Sequence, residues 1–288
     1  MNKISVIIVN YNTAELVKFC IASVLEWTTD IDFEIIVVDN DSAEREIVDI
    51  ITLFPKIKFI QSNKNIGFGR ACNKAAETAS GEYFLFLNPD TQFKNNVLKY
   101  FLDFWLNHPD LNIGCIGTAM LDEHSQTTHS AGKFPDRVEY LKAKVLSLLQ
   151  RLSFKSYSNK DAITTTTGAY QKVDYITGAD LFISRENFQQ VNGFDPAFFL
   201  YFEETDLQFR LTVNGRFSFL INGPMILHRQ GGSLRNQNIK MRVLYFNGML
   251  TYFKKHSSPL HFNFFRFCWF LLDLPTVIQK LFLIRKSK

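Results

Sequence analysis

Residues 4–12 read Ile-Ser-Val-Ile-Ile-Val-Asn-Tyr-Asn. Ile4 to Val9 is a β-branched run broken only by Ser5, the pattern of a strand buried on both faces of a sheet. The run stops in Asn10-Tyr11-Asn12, polar groups at the carboxyl end, where open parallel sheets hold their ligands. Leu16, Cys20, Ile21 and Val24 then recur at helical spacing, and Phe33 to Val38 forms a second apolar strand. Ile57–Ile60, Tyr83–Leu87 and Ile113–Ile116 follow as a third, fourth and fifth. Strands separated by helical segments predict an α/β fold with a mostly parallel sheet flanked by helices.

The rest of the composition agrees. The chain has 288 residues, 46% hydrophobic and 21% charged, enough apolar surface for a sizeable core and too little charge for wholesale disorder. Cys20, Cys72, Cys115 and Cys268 lie too far apart for a zinc ribbon or a redox pair. The apolar run at the N-terminus is too short for a signal-peptide core, so a cytoplasmic location is expected.

Two further strands end as the first does. The second runs into Asp39-Asn40-Asp41-Ser42 and the fourth into Asn88-Pro89-Asp90. Any one such cluster is explained by turn formation and helix capping; three on one sheet edge favour a polar ligand. No glycine-rich turn follows the first strand, and no P-loop is present. A phosphate would then be neutralised by a cation on Asp90 or by Arg70. Residues 193–210, Gly-Phe-Asp-Pro-Ala-Phe-Phe-Leu-Tyr-Phe-Glu-Glu-Thr-Asp-Leu-Gln-Phe-Arg, place Glu203, Glu204 and Asp206 directly after five large apolar residues. Acidic residues complement a helix N-terminus, and Asp206 with Arg210 has the spacing of a helical pair. The aromatic wall also makes this a place for a general base. His228 heads a Gly-Gly-Ser turn and is either structural or a ligand.

Together these segments resemble family 2 glycosyltransferases of the GT-A fold, in particular their bacterial rhamnosyltransferase-like branch. The resemblance runs over about residues 3–235 through Ser5–Asn12, Val38–Ser42, Asn65–Asn73, Leu87–Thr91, Thr177-Gly178-Ala179, Gly193–Arg210 and His228–Ser233. It implies an inverting, metal-dependent glycosyltransferase. Asn10, Tyr11 and Asp39 match positions that hold the nucleotide, with Asn12, Asn40, Arg70, Asn88 and Gly178 lining the donor. Asp90, with His228, would ligate Mg2+ or Mn2+. The pair Glu203-Glu204 matches a Glu-Asp that contains the base, with Glu204 favoured by alignment and Glu203 its rival. Asn88 stands where the family often has aspartate, and Glu204 where it usually has aspartate. The expected donor is dTDP-rhamnose, or alternatively a UDP-sugar; the acceptor is a glycan or lipid-linked oligosaccharide of cell-surface polysaccharide synthesis.

Residues 1–235 are expected to form the GT-A domain, with a nucleotide-sugar half to about 120 and an acceptor half beyond it. Residues 236–288 form a helical extension. From Leu234 onward there are ten Lys or Arg and one acid, a net +9, so the remainder of a +4 chain carries −5. Large aromatics are mixed among these charges, and no stretch is apolar enough to span a bilayer. This pattern predicts helices lying in a membrane interface on the inner face of the cell membrane, or packing against protein. Nucleic acid is not an expected partner. A sugar-phosphate nucleotidyltransferase would need a basic glycine-rich loop after the first strand, and a non-catalytic binding protein would not need the carboxylates at 90, 203, 204 and 206.

Overall fold

The computed structural model describes residues 2–43, 47–153, 163–166, 168–229 and 239–286. The opening run forms β1 (Ile4–Asn10), followed by α1 (Ala14–Trp27), β2 (Phe33–Asp39), α2 (Ile47–Leu53), β3 (Lys58–Gln61), α3 (Phe68–Thr78) and β4 (Tyr83–Leu87). After a three-residue β5 (Thr91–Phe93) come α4 (Val97–Asn107), β6 (Ile113–Thr118), β7 (Ala131–Gly132) and α5 (Arg137–Ser153). The chain returns as β8 (Tyr170–Val173), β9 (Tyr175–Ile176), β10 (Asp180–Ser184), α6 (Arg185–Gln190), α7 (Glu203–Val213), β11 (Phe217–Ile221) and β12 (Ile226–His228). Two helices end it, α8 (Ile239–Lys255) and α9 (Pro259–Lys286).

The sheet has the order β3-β2-β1-β4-β10-β6-β11-β8. It is mostly parallel, as expected, with β10 and β8 running antiparallel to their neighbours. β1 is buried along its whole length because both faces are covered. Ile4, Val6 and Ile8 pack with α1 and α4, whereas Ile7 and Val9 face α3, α6 and α7. On α1 the buried stripe is Val17, Cys20, Ile21 and Val24, so Val17 takes the place assigned to the half-buried Leu16. The second face is filled by Phe84, Phe86, Phe188 and Phe194, whose rings meet edge-on or tilted. Burial of such rings supplies on the order of 2–3 kcal/mol each.

The chain falls into two units. One comprises Met1–Lys133 with Asp161–Gly248; the other comprises Phe134–Lys160 with Met249–Lys288. The second unit contains α5 and α9, with Tyr140 against Phe253 and the Lys144 ammonium over the Trp269 ring. Much of the Ser/Thr/Lys-rich segment 153–167, and Gln230 to Ser233 of the His228 motif, lie outside the described residues. Among the described residues no helix is long and apolar enough to cross a membrane.

Candidate active site

The polar ends of β1, β2 and β4 do share one edge, because the three strands are parallel neighbours in register. At the first two, the side chains mostly hold one another. Asn10 donates to Asp39 at 2.7 Å and to Ser42, and its carbonyl oxygen caps Thr13. Asp39 also accepts from Gln61 at 2.7 Å and from the Ser42 amide. Asn40 accepts from the Ile66 amide and donates to Asn65 and the Gly67 carbonyl, fastening the loop before α3. Asn12 adopts a left-handed conformation and accepts from the Ala43 amide. Tyr11 is exposed. Thus Asn10, Asn12 and Asn40 frame the edge, and Tyr11 presents a free face. Gln61, which sequence reasoning passed over, belongs to this frame; its position at the end of β3 repeats the signal carried by the other strands.

The β4 end is built differently. β5 pairs with β12, which sets His228 opposite Thr91, and the Arg229 amide donates to the Asp90 carbonyl at 2.9 Å. His228 Nε2 therefore lies 3.2 Å from Asp90 Oδ1. His228 Nδ1 is buried with no hydrogen-bond partner among the described residues. A carboxylate oxygen beside an imidazole nitrogen suits Mn2+ or Mg2+ when further oxygens complete the shell. Among the described residues no group of three or more His, Cys, Asp or Glu side chains could hold an ion. Asp90 and His228 thus bring two possible ligand side chains together, and the rest of a shell would have to come from outside them.

The carboxylates of the third cluster separate. α7 begins at Glu203, and Tyr201 and Phe202 before it both have φ 70°. The left-handed region is a true outlier for bulky residues and costs on the order of 1–3 kcal/mol at each position. Glu203 is buried toward α3: a Cβ on Gly69 would lie 3.5 Å from Glu203 Cβ, and Glu203 Oε2 has no hydrogen-bond partner among the described residues. Burial, then the neighbouring Glu204 charge, pushes its carboxyl well above the usual range. Glu204 is half-buried and approaches Gly178; burial raises its pKa too, opposed by hydrogen bonds from its own amide and Thr205. Asp206 is fully buried and ion-paired with Arg210 at 2.8 Å, and that guanidinium also donates to the Val191 and Gly193 carbonyls. Removing one partner of such a buried pair costs roughly 3–5 kcal/mol.

The loop 193–202 is locked to α3. Asn73 both donates to and accepts from the Phe194 backbone. Arg70 donates to the carbonyls of Ile66 and Pro196, so its guanidinium serves as a strut in this structure. Gly67 has φ 85°, and a Cβ there would fall 2.1 Å from the Phe199 carbonyl oxygen, so only glycine lets the two backbones meet. One path then joins the β4 end to the start of α7. The Asn88 amide donates to the Ala179 carbonyl at 3.0 Å, and the adjacent Gly178 faces Glu204. Asp90, Asn88, Gly178 and Glu204 accordingly line one continuous stretch of the sheet edge.

A family model described as Glycosyl transferase family 2 matches residues 5–174. The N-acetylglucosaminyl-diphospho-decaprenol L-rhamnosyltransferase of Mycobacterium tuberculosis H37Rv is 23% identical over 240 residues, 79% of this chain and 76% of that protein. Rhamnosyltransferase WbbL of Escherichia coli K12 is 27% identical over 156 residues, covering 52% and 55%. Among solved structures, GalNAc-T7 with UDP, GalNAc and Mn2+ superposes with a TM-score of 0.57 at 16% identity, covering 81% of this chain and 45% of that one. The fold is therefore that of the GT-A glycosyltransferases.

Proposed function

The chain belongs to glycosyl transferase family 2, and on that premise we propose that it moves a sugar, rhamnose by preference, from a nucleoside diphosphate to a hydroxyl of a glycan or lipid-linked acceptor in cell-surface polysaccharide synthesis. The observation that carries the reading is the path from the Asp90–His228 pair through Asn88 and Gly178 to Glu204. A diphosphate at one end and an acceptor at the other would be bridged by the sugar. Residues 1–235 supply this machinery and the remaining residues a helical extension.

In this reading Tyr11 and Asp39 receive the nucleotide, and Asn10, Asn12 and Asn40 keep that edge in shape. Arg70 and Asp206 act on the donor and the base through the loop they hold. Glu204 accepts the proton of the acceptor hydroxyl as its oxygen bonds to the anomeric carbon. The bond from that carbon to the diphosphate breaks, its electron pair leaving with the diphosphate. One base without an enzyme nucleophile makes this a single displacement with inversion. Asp90 and His228 would hold Mg2+ or Mn2+, and an ion bound there stabilises the charge on the departing diphosphate.

Purified protein incubated with Mn2+ or Mg2+ and with dTDP-rhamnose or UDP-sugars tests the reading through release of the nucleoside diphosphate. Release of dTDP is expected to exceed release of UDP. Glu204→Gln should lower turnover by about 10²–10⁴-fold while nucleotide still raises the melting temperature. Near-normal turnover by that variant removes Glu204 from the role.

A further inference from the structure

The turn that launches the carboxylates is itself held in place by a helix from the far end of the chain. Tyr201 and Phe202 are consecutive non-glycine residues at φ 70°, and Phe202 starts α7 without a side-chain cap. Nothing in a Tyr-Phe pair favours this conformation, so the surroundings must impose it. The surroundings are α8. The Tyr245 ring packs on both residues, with centroids 5.7 Å from Tyr201 and 5.1 Å from Phe202. One turn further along, Gly248 lets the helix backbone close onto the turn. A Cβ there would lie 2.6 Å from the Tyr201 carbonyl oxygen and 3.1 Å from the Phe202 ring. The Phe202 carbonyl in turn accepts from the Asp206 amide at 2.8 Å, so the pose of the turn is passed directly into the first turn of α7. Glu203 and Glu204 are the first two residues of that helix.

We propose that Tyr245 and Gly248 of α8 are positioning residues for the reaction: they hold the Tyr201–Phe202 turn left-handed, and this turn sets the direction in which Glu204 points. The proposal rests on the assignment of Glu204 as base. It makes the first part of the C-terminal helices a component of the active site. Tyr245 is well suited to this role because 44% of its surface remains exposed, so its ring grips the turn without belonging to the core.

The experiment compares Tyr245→Ala, Tyr245→Phe and Gly248→Ala in the full chain. Hydrogen exchange of the backbone amides at 201–206 should quicken by about tenfold or more in the alanine variants and stay near wild type in Tyr245→Phe. Turnover of the donor that the wild type hydrolyses should fall in kcat by roughly 10–100-fold in the alanine variants, with KM little changed. Tyr245→Phe should restore it. Unchanged exchange in the alanine variants overturns the proposal, as does faster exchange with unchanged kcat. A Glu204→Gln enzyme that stays active would instead overturn the assignment of the base, whatever Tyr245 does. Should Gly248→Ala fail to fold, the Tyr245 pair decides alone.

Discussion

Consecutive residues on a helix point about 100° apart, and this angle gives Glu203 and Glu204 different chemistry. Glu203 turns toward Gly69 and is buried; Glu204 turns toward Gly178 and is half-buried. Both carboxyls are raised by burial, and Glu203 carries the further penalty of the Glu204 charge. Burial and the Glu204 charge thus favour the neutral form of Glu203, a form that glutamine mimics in shape. Glu203→Gln should therefore keep the wild-type rate where Glu204→Gln loses it. A base acts only when ionised, so turnover should rise with pH along a limb above the ordinary glutamate value of about 4.3, and Glu203→Gln should leave that limb in place. A dead Glu203→Gln beside an active Glu204→Gln would exchange the two roles. The carboxylates were legible in the sequence, three acids behind an aromatic run. Which of them opens to the edge was not, because it depends on the phase of α7, and that follows from a left-handed Tyr-Phe turn no local propensity encodes.

At the scale of elements, β1 through β4 and their helices follow from apolar runs and spacing, since a strand covered on both faces has to be apolar throughout. β10 shows the limit. Leu181 to Ile183 is a short apolar run like the others, yet it enters the middle of the sheet antiparallel to β4 and β6; direction leaves no mark on periodicity. β5 and β12 are three residues each, too short for a pattern, and only their pairing brings His228 to Asp90. The eight-stranded sheet contains a clasp that can be tested. Glu34 on β2 accepts from Ser5 of β1 and from the amide and hydroxyl of Ser80, and pairs with Lys58 of β3 at 2.6 Å. Burial acts against its charge, but these partners outweigh it and hold its carboxyl down at about 2. A pKa lowered on folding gives stability that is present above the unfolded value and lost as pH falls toward the folded one. Glu34→Gln should thus unfold at lower denaturant concentration than wild type at pH 7. The gap should narrow as pH drops through about 4 toward 2. A gap that is constant with pH would show that the clasp does not work through charge.

For the whole molecule, charge divides along the two units rather than at one point in the chain. The unit of Phe134–Lys160 and Met249–Lys288 carries thirteen Lys or Arg against three Asp or Glu, a net +10. The other unit is left at −6 in a chain of +4. The basic, aromatic tail could be seen in the sequence; that the helix at 137–153 belongs to the same unit could not, because about a hundred residues separate the two segments. On α9, Leu260, Phe264, Phe267 and Leu271 recur at helical spacing and stay exposed, Leu260 by 77% and Phe264 by 64%. Exposed rings on a strongly positive unit match the apolar boundary and negative surface of an anionic bilayer better than they match water. The helix at 137–153 would then belong to the docking unit. Co-sedimentation of the full chain with phosphatidylglycerol-containing vesicles tests this. Binding should weaken with salt and vanish with pure phosphatidylcholine. Phe264→Ser with Phe267→Ser should reduce it while donor turnover in detergent-free buffer persists, since neither ring belongs to the unit that holds Glu204. Full vesicle binding by that double variant would show that the exposed stripe is not the docking face.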